Sequence, residues 1–286
     1  MPFKVRPGLF AVALLLSLSA LIAAAQVPYG TKLGDDTYQP SIGQDGKDVI
    51  WVPTHDGMTE AMLRMAQVGP QDLVYDLGAG DGKIAIAAAS RFGAQAVGIE
   101  YNPDMAALAR RNVQRAGVAD KVKIIAGDIF VENFSNASVV TLYLLPELNL
   151  RLRPTILKMK PGTRVVANQF DMGDWEPDQH IDNAFSKGFF WIVPADVAGR
   201  WTIDGVDGSR NDTLELSQRY QKVGGTLTLR GTQQPLLSAS LRGNQLRFSF
   251  IDMSGQSRIF EATVEGNSMT GSVRENVTLY DVSGKR

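Results

Sequence analysis

Residues 74–83 read Val-Tyr-Asp-Leu-Gly-Ala-Gly-Asp-Gly-Lys, and residues 84–89 read Ile-Ala-Ile-Ala-Ala-Ala. An apolar run ending in an acid, alternate glycines and a helix-forming run predict a buried strand, a tight turn and a helix start. Glycine lets the backbone approach a ligand closely, and the N–H groups at a helix start attract polar ligand atoms. The turn therefore indicates a nucleotide-type binding site.

The spacing of the glycines excludes two kinds of nucleotide site. A dinucleotide-binding fingerprint requires a third glycine where Lys83 stands. A phosphate-binding P-loop requires Gly-Lys followed by Ser or Thr, whereas Ile84 follows here. The pattern that remains is D-x-G-x-G-x-G, beginning at Asp76.

Two further acids follow predicted strands. Residues 95–100 predict a strand that ends at Glu100, about 20 residues past the turn, where doubly wound folds place an acid that accepts hydrogen bonds from ribose hydroxyls. Residues 122–130 predict a third strand, with Asp128 at its carboxyl end. Because such ends meet at one edge of a parallel sheet, we expect Asp76, Glu100 and Asp128 to converge on one crevice.

The alternation of predicted elements indicates two structured regions. Strands and helices alternate over residues 51–195, which predicts an α/β domain with a Rossmann-like, doubly wound, mostly parallel sheet. A later strand, 189–194, is expected to pair antiparallel at the edge of that sheet, with a weakly signalled partner strand between Gln179 and Phe185. Residues 196–286 show short alternating runs between turns, which predict a separate antiparallel β sandwich or small barrel. Residues 26–50 predict an irregular N-terminal arm.

The N-terminus has the three regions of a secretory signal peptide. Lys4 and Arg6 precede the apolar residues 9–24, and three alanines precede Gln26. We predict a signal peptide over residues 1–25 and an exported protein, periplasmic or secreted. The apolar run is short for a membrane span, so an uncleaved N-terminal anchor is the alternative and the only membrane association expected.

Composition excludes several classes of function. The 286 residues contain 29 Lys and Arg against 30 Asp and Glu, a net charge of -1 that gives no indication of nucleic-acid binding. With no cysteine and only His55 and His180, a thiol nucleophile and a cysteine or histidine-rich metal site are excluded, so no metal is expected. The G-x-S-x-G turn of many hydrolases is absent.

The motif at Asp76 resembles the first motif of class I S-adenosylmethionine-dependent methyltransferases. Residues 52–54, 62–63, 74–83, 98–100, 127–130 and 143–146 together are similar to the family of ATP synthase c-subunit lysine methyltransferases and their prokaryotic relatives. The resemblance covers less than half of the chain. It implies that S-adenosylmethionine is bound by Thr54, Asp76, Gly78, Ala79, Gly80, Gly82, Glu100, Tyr101, Asp128 and Ile129.

The same resemblance implies in-line methyl transfer to a protein lysine, with Tyr143 and Pro146 on the acceptor side. Tyr143 is equally interpretable as a core aromatic at a strand end, and Tyr143 or Trp175 would hold the cationic nitrogen. No general base is expected, because an apolar site lowers the pKa of the lysine.

Two alternatives remain open from the sequence. One is a methyltransferase with a small-molecule acceptor. The other is a non-catalytic exported binding protein, because S-adenosylmethionine is made inside cells. The C-terminal β domain is a candidate for binding a partner.

Overall fold

The computed structural model describes residues 33–48, 50–182, 184, 186–206 and 208–286, which form one compact unit. The predicted signal peptide and residues 26–32 of the predicted arm lie outside the described residues. No helix in the described part is long and apolar enough to cross a bilayer. The chain builds two sheets, and helices accompany only the first.

The first sheet has helices on both faces. The helices are α1 (Asp56–Met65), α2 (Lys83–Phe92), α3 (Pro103–Arg115) and α4 (Pro146–Ile156). The strands are β1 (Leu73–Leu77), β2 (Gln95–Glu100), β3 (Val122–Ala126), β4 (Val139–Leu142), β5 (Arg164–Asn168), β6 (Gln179–Asp182) and β7 (Lys187–Ile192).

The strand order is β3-β2-β1-β4-β5-β7-β6, and β1 to β5 are parallel. The predicted doubly wound, mostly parallel sheet is therefore confirmed. The later strand, β7, pairs antiparallel with β5 as expected, and β6 is the partner expected between Gln179 and Phe185, so β6 rather than β7 is the edge strand. The strand order reverses between β1 and β4, where open α/β sheets bind ligands beyond the carboxyl ends of their strands.

Local boundaries differ from the predicted ones near the ligand-binding edge. β3 ends at Ala126 and β4 at Leu142, so Asp128 and Tyr143 lie in the loops that follow. Helix α4 continues through Pro154. Proline removes one backbone donor, but Leu148, Leu152 and Ile156 bury one face of this helix in the core.

The second sheet is all antiparallel and barrel-like. Its strands are β8 (Gly199–Asp204), β9 (Asp212–Arg219), β10 (Lys222–Leu229), β11 (Thr232–Pro235), β12 (Leu237–Arg242), β13 (Gln245–Ile251), β14 (Ser257–Glu265), β15 (Ser268–Glu275) and β16 (Thr278–Lys285). The order is β11-β10-β9-β8-β16-β15-β14-β13-β12, so the two edge strands follow each other in the chain. Leu236 joins them and donates its N–H to the Gly225 carbonyl of β10 at 3.0 Å.

The barrel is filled by apolar side chains and packs against the first sheet. Its interior holds the fully buried Trp201, Phe248 and Phe260. At the junction, Trp175 is also fully buried, stacks on Tyr220 with ring centroids 6.0 Å apart, and donates its indole N–H to Gln221 at 3.0 Å. Aromatic side chains therefore fill the barrel core, and a second aromatic cluster lies at the junction of the two sheets.

Candidate active site

The glycine turn after β1 has the backbone that its sequence requires. Gly78, Gly80 and Gly82 have φ of 85°, 54° and 84°, which side chains other than glycine rarely adopt. The backbone N–H groups of Gly78 and Ala79 donate to the Ile99 carbonyl at 2.9 and 3.0 Å. The turn is therefore fixed against the end of β2, with its open side at the switch point.

Asp76, at the end of β1, is a buried carboxylate. The Thr141 hydroxyl on β4 donates a hydrogen bond to Asp76 Oδ1 at 2.7 Å. Burial raises the pKa of Asp76 to about 7 against the opposing effect of that hydrogen bond, and the nearby Asp81 and Glu100 raise it further. A cationic group placed beside Asp76 would favour the ionised form.

Glu100, at the end of β2, holds the turn in place. Its two oxygens accept backbone N–H groups of Gly80 at 2.8 Å and Asn102 at 2.9 Å. Burial raises the pKa of Glu100, and those backbone hydrogen bonds partly oppose the shift. A carboxylate accepts about four hydrogen bonds, so Glu100 keeps capacity for ligand hydroxyls.

Asp128, in the loop after β3, forms an ion pair. Lys47 Nζ lies 2.6 Å from Asp128 Oδ2, and the Phe130 N–H donates to Oδ1 at 2.9 Å. The Lys47 hydrogen bond is the main cause of a lowered pKa for Asp128. This acid is therefore ionised, whereas the pKa values of Asp76 and Glu100 are raised.

The three acids surround one pocket at the switch point, which contains about 900 Å³ of empty space including open solvent. Most of the predicted site residues line it: Thr54, Asp76, Gly78, Ala79, Gly80, Glu100, Tyr101, Asp128, Ile129 and Tyr143. Gly82 and Pro146 do not. Gly82 is the N-cap of α2, and Pro146 begins α4. Both shape the elements beside the pocket.

The N-terminal arm and the residues directly after it also contribute to the pocket, although the sequence did not predict this contribution. Gly46, Lys47, Asp48, Ile50, Trp51, Val52 and Pro53 also line the pocket. Lys83 connects the end of the arm to α2, because its Nζ lies 2.9 Å from both the Thr54 carbonyl and Asp56 Oδ1. The arm contains no local motif, and the separation of Lys47 from Asp128 along the chain leaves no periodic signal.

Known proteins share this part of the chain. The ANTKMT methyltransferase domain family matches residues 76–179. A protein-lysine N-methyltransferase of Saccharolobus islandicus is 42% identical over 135 residues, which are 46% of this chain and 84% of that protein. The chain belongs to the ANTKMT methyltransferase family. It is an S-adenosylmethionine-dependent methyltransferase.

Two further relatives of this methyltransferase are informative. The ATP synthase c-subunit lysine N-methyltransferase of Mus musculus is 35% identical over 45% of this chain, which spans about half (51%) of that protein. An RNA methyltransferase from Salinibacter ruber, solved with S-adenosyl-L-homocysteine, is 46% identical, with a TM-score of 0.50 over 51% of this chain and 96% of that one. All of these relatives match less than the whole chain.

The pocket of this methyltransferase suits S-adenosylmethionine by its own chemistry. A side chain at Gly78 would narrow the pocket, because a Cβ added there would lie 3.0 Å from Leu144 Cδ2. The buried carboxylate of Asp76 and the partly buried carboxylate of Glu100 match a ligand that carries cationic groups and hydroxyls. The residues present therefore fit the cofactor of the family.

The pocket contains one of the two aromatic residues that were expected to face a methyl acceptor. Tyr143 is half-buried beside Leu144 and Leu148, and burial raises its pKa. The expectation that Trp175 faces the acceptor is wrong, because that side chain is enclosed at the junction with the barrel. Among the described residues that line the pocket there is no histidine, and no His, Asp and Glu cluster in the described part has the arrangement of a metal site.

Proposed function

We propose that this methyltransferase transfers the methyl group of S-adenosylmethionine to the side-chain amine of a lysine in a protein acceptor. The observation that carries the proposal is the pocket wall of Tyr143, Leu144 and Leu148, which joins an aromatic face to an apolar surface. An aromatic face attracts a cationic nitrogen, and an apolar wall lowers the pKa of an amine. The 42% identity to a protein-lysine N-methyltransferase supports the same acceptor.

The chemistry needs little from side chains. S-adenosylmethionine supplies a methyl group that its positively charged sulfur already activates. We assign Glu100 to the ribose hydroxyls, Asp128 to the adenine amino group and the buried Asp76 to a cationic group of the cofactor. Gly78, Ala79, Gly80, Tyr101 and Ile129 are assigned to its remaining surface, and Thr54 to closure from the N-terminal side. The protein then positions the amine and excludes water, which raises the rate without a dedicated base.

Exposed apolar side chains around the pocket support a macromolecular acceptor over a small molecule. Ile50, Val52 and Tyr101 line the pocket and are exposed, and Leu145 beside it is exposed as well. Exposed apolar groups that cluster at a site are typical of surfaces that contact another macromolecule. We propose that the acceptor protein covers this rim, and that the barrel contributes a second contact with it.

We further propose that the chain is exported through the signal peptide of residues 1–25 and acts in the periplasm or outside the cell. Mass spectrometry of the protein purified from its source would give the mature N-terminus. A terminus at Gln26 in the exported fraction supports the proposal. An intact Met1 in a cytosolic fraction contradicts it, and an intact Met1 in a membrane fraction identifies an anchor instead.

The acceptor is tested by transfer of a labelled methyl group. The chain from Gln26 onward is incubated with methyl-labelled S-adenosylmethionine and with protein, RNA or low-mass fractions from the source cell, and Asp76→Ala serves as the inactive control. Label on lysine in the protein fraction is the expected result. Label confined to RNA, a specific alternative because the Salinibacter relative is an RNA methyltransferase, or to small molecules overturns the lysine assignment.

A further inference from the structure

A segment N-terminal to the matched family domain forms the outer wall of the pocket. We call residues 43–48 and 50–54 the cover. Its two strands are joined by hydrogen bonds from the Gly43 N–H to the Trp51 carbonyl at 2.8 Å and from the Trp51 N–H to the Gln44 carbonyl at 2.9 Å. The cover is therefore a defined hairpin-like structure, and it lies outside the residues 76–179 that match the family.

The cover is anchored on both sides. Before it, Asp35 pairs with Arg111 of α3 at 2.6 Å and with Arg115 at 3.2 Å, and the Arg111 hydrogen bond holds the pKa of Asp35 well below its usual range. After it, the Thr54 carbonyl accepts a hydrogen bond from Lys83 at 2.9 Å. The chain between these anchors is the part that crosses the pocket.

Two side chains of the cover close the pocket. Lys47 contacts Asp128 and lies 4.9 Å from the ring centroid of Tyr101, both of which are pocket residues. Trp51 lies against the glycine turn so closely that a Cβ added at Gly80 would be 2.6 Å from its Nε1. Both contacts therefore join the cover to residues of the pocket wall.

The Lys47 contact uses the same carboxylate that we assign to the cofactor. Asp128 Oδ1 already accepts the Phe130 N–H, so Oδ2 is the acceptor that Lys47 holds. The ion pair is partly exposed, with 36% of the Lys47 and 23% of the Asp128 side chain accessible, and such pairs are weak in water. An incoming N–H donor can therefore replace Lys47 without any proton transfer.

We propose that the cover is the gate of the cofactor site and that Lys47 is its latch. Lys47 holds the Asp128 carboxylate in the cofactor-free protein, and the adenine amino group takes its place when the cofactor binds. This inference rests on the proposed assignment of Asp128 to adenine. It gives Lys47 a role in controlling cofactor entry and Trp51 a role in covering the bound cofactor.

Rapid-mixing fluorescence with S-adenosyl-L-homocysteine tests the gate. Trp51 is a local reporter, because Trp175, Trp191 and Trp201 are fully buried elsewhere. We expect Lys47→Met, which keeps the length of the side chain and removes the charge, to bind about threefold faster and more tightly than the parent chain. Raising the salt concentration should speed binding by the parent chain and leave Lys47→Met unchanged.

Lys222→Met is the matched control. Lys222 forms a surface ion pair with Glu176 at 2.6 Å, the same distance as the Lys47 pair, but lies outside the pocket. Its association rate should equal that of the parent chain. Trp51→Phe should lose most of the fluorescence change while titration calorimetry still detects binding.

The possible outcomes distinguish failure of the gate proposal from failure of the cofactor assignments on which it rests. Unchanged kinetics in Lys47→Met, or weaker binding, overturns the latch even where Asp128→Asn weakens affinity as the adenine assignment requires. If Asp128→Asn binds as tightly as the parent chain, the adenine assignment fails and the latch fails with it. Absence of any binding by the parent chain overturns the assignment of this pocket to the cofactor.

Discussion

Asp76 in the first sheet and Asp252 in the barrel are both buried aspartates, yet their pKa values move in opposite directions. Asp252 accepts hydrogen bonds from the Ser254 hydroxyl at 2.7 Å and from Arg258 at 2.6 Å, and these contacts, the serine first, lower its pKa to about 2. For Asp76 the described residues offer one donor, the Thr141 hydroxyl, and burial raises its pKa to about 7. Asp252 therefore has its hydrogen-bond acceptors satisfied by donors of the barrel, whereas Asp76 keeps acceptor capacity for a ligand.

The largest expected effect is on cofactor affinity and follows from removing the Asp76 carboxylate. Asp76→Ala removes the buried carboxylate that we assign to a cationic group of the cofactor, and we expect affinity for S-adenosylmethionine to fall by about 100-fold. Asp252→Asn changes another buried acid, outside the pocket, and should leave affinity unchanged. Titration calorimetry measures both. Equal affinities for Asp76→Ala and the parent chain would show that Asp76 has only a structural role.

The second effect is on stability and has opposite signs at the two positions. The folded-state pKa of Asp76 is above its unfolded value of 3.8, so the folded state loses stability as pH rises from about 4 to 7. Asp76→Asn keeps an acceptor for Thr141 and removes the charge. In the cofactor-free protein it should therefore stabilise the fold by on the order of 2 kcal/mol at about pH 8 and by much less at about pH 4.

Asp252→Asn supplies the opposite case. Its folded-state pKa is lowered, so its contribution to stability is present above the unfolded value of 3.8 and lost as pH falls towards about 2. We expect the variant to be destabilised at neutral pH and equal to the parent chain in strong acid. Chemical denaturation across pH measures both variants, and the same sign for both would refute the contrast.

Two glycines with positive φ, one at the pocket and one in the barrel, allow a similar comparison. Gly80 has φ 54° and no room for a side chain beside Trp51, whereas Gly231 in the barrel has φ 86° and nothing near its missing Cβ. Alanine at either position adds backbone strain of about 1–2 kcal/mol. Only Gly80→Ala should also lower cofactor affinity, by about tenfold. If Gly231→Ala reduced affinity equally, the loss would be a consequence of general strain.

The smallest expected effect is at the junction of the two regions. Tyr220→Ala removes the ring that stacks on Trp175, which costs about 0.5–1.5 kcal/mol of stability beyond the buried area. Because Trp175 does not line the pocket, cofactor affinity should stay within about twofold of the parent value. Thermal unfolding and calorimetry test the two statements. A tenfold loss of affinity would make the barrel part of the cofactor site.

The sequence predicts those features of the site that depend on local spacing. The glycines from Gly78 to Gly82 require particular backbone angles, and Glu100 follows at the spacing of one strand–helix–strand unit. Lys47 and Trp51 could not be predicted, because their contacts join distant parts of the chain without a repeating pattern. Trp175 illustrates the converse error: its aromatic character suggested the acceptor side, but packing against Tyr220 places it at the junction.

For the fold as for the site, the sequence predicted the features that depend on local patterns but not those that depend on distant contacts. Alternating strands and helices predicted the parallel sheet, because each unit is local and its handedness is fixed. β7 is not the edge strand because β6 pairs with its outer side, and the four residues of β6 carry almost no apolar signal. Runs of alternating residues left a sandwich and a barrel equally open, because the alternation does not specify whether the two edge strands of the sheet come together.

The pairing of the first barrel strand with the last also orders events during synthesis. β8 pairs with β9 on one side and with β16 on the other, where Asp204 lies opposite Ser283, so the second pairing must wait for the last strand of the described chain. The strands β1 to β5 complete their pairings much earlier. Long-range pairing slows folding and leaves strand edges exposed in the interval. The methyltransferase sheet is therefore expected to fold on the emerging chain while the barrel remains the slow, aggregation-sensitive step.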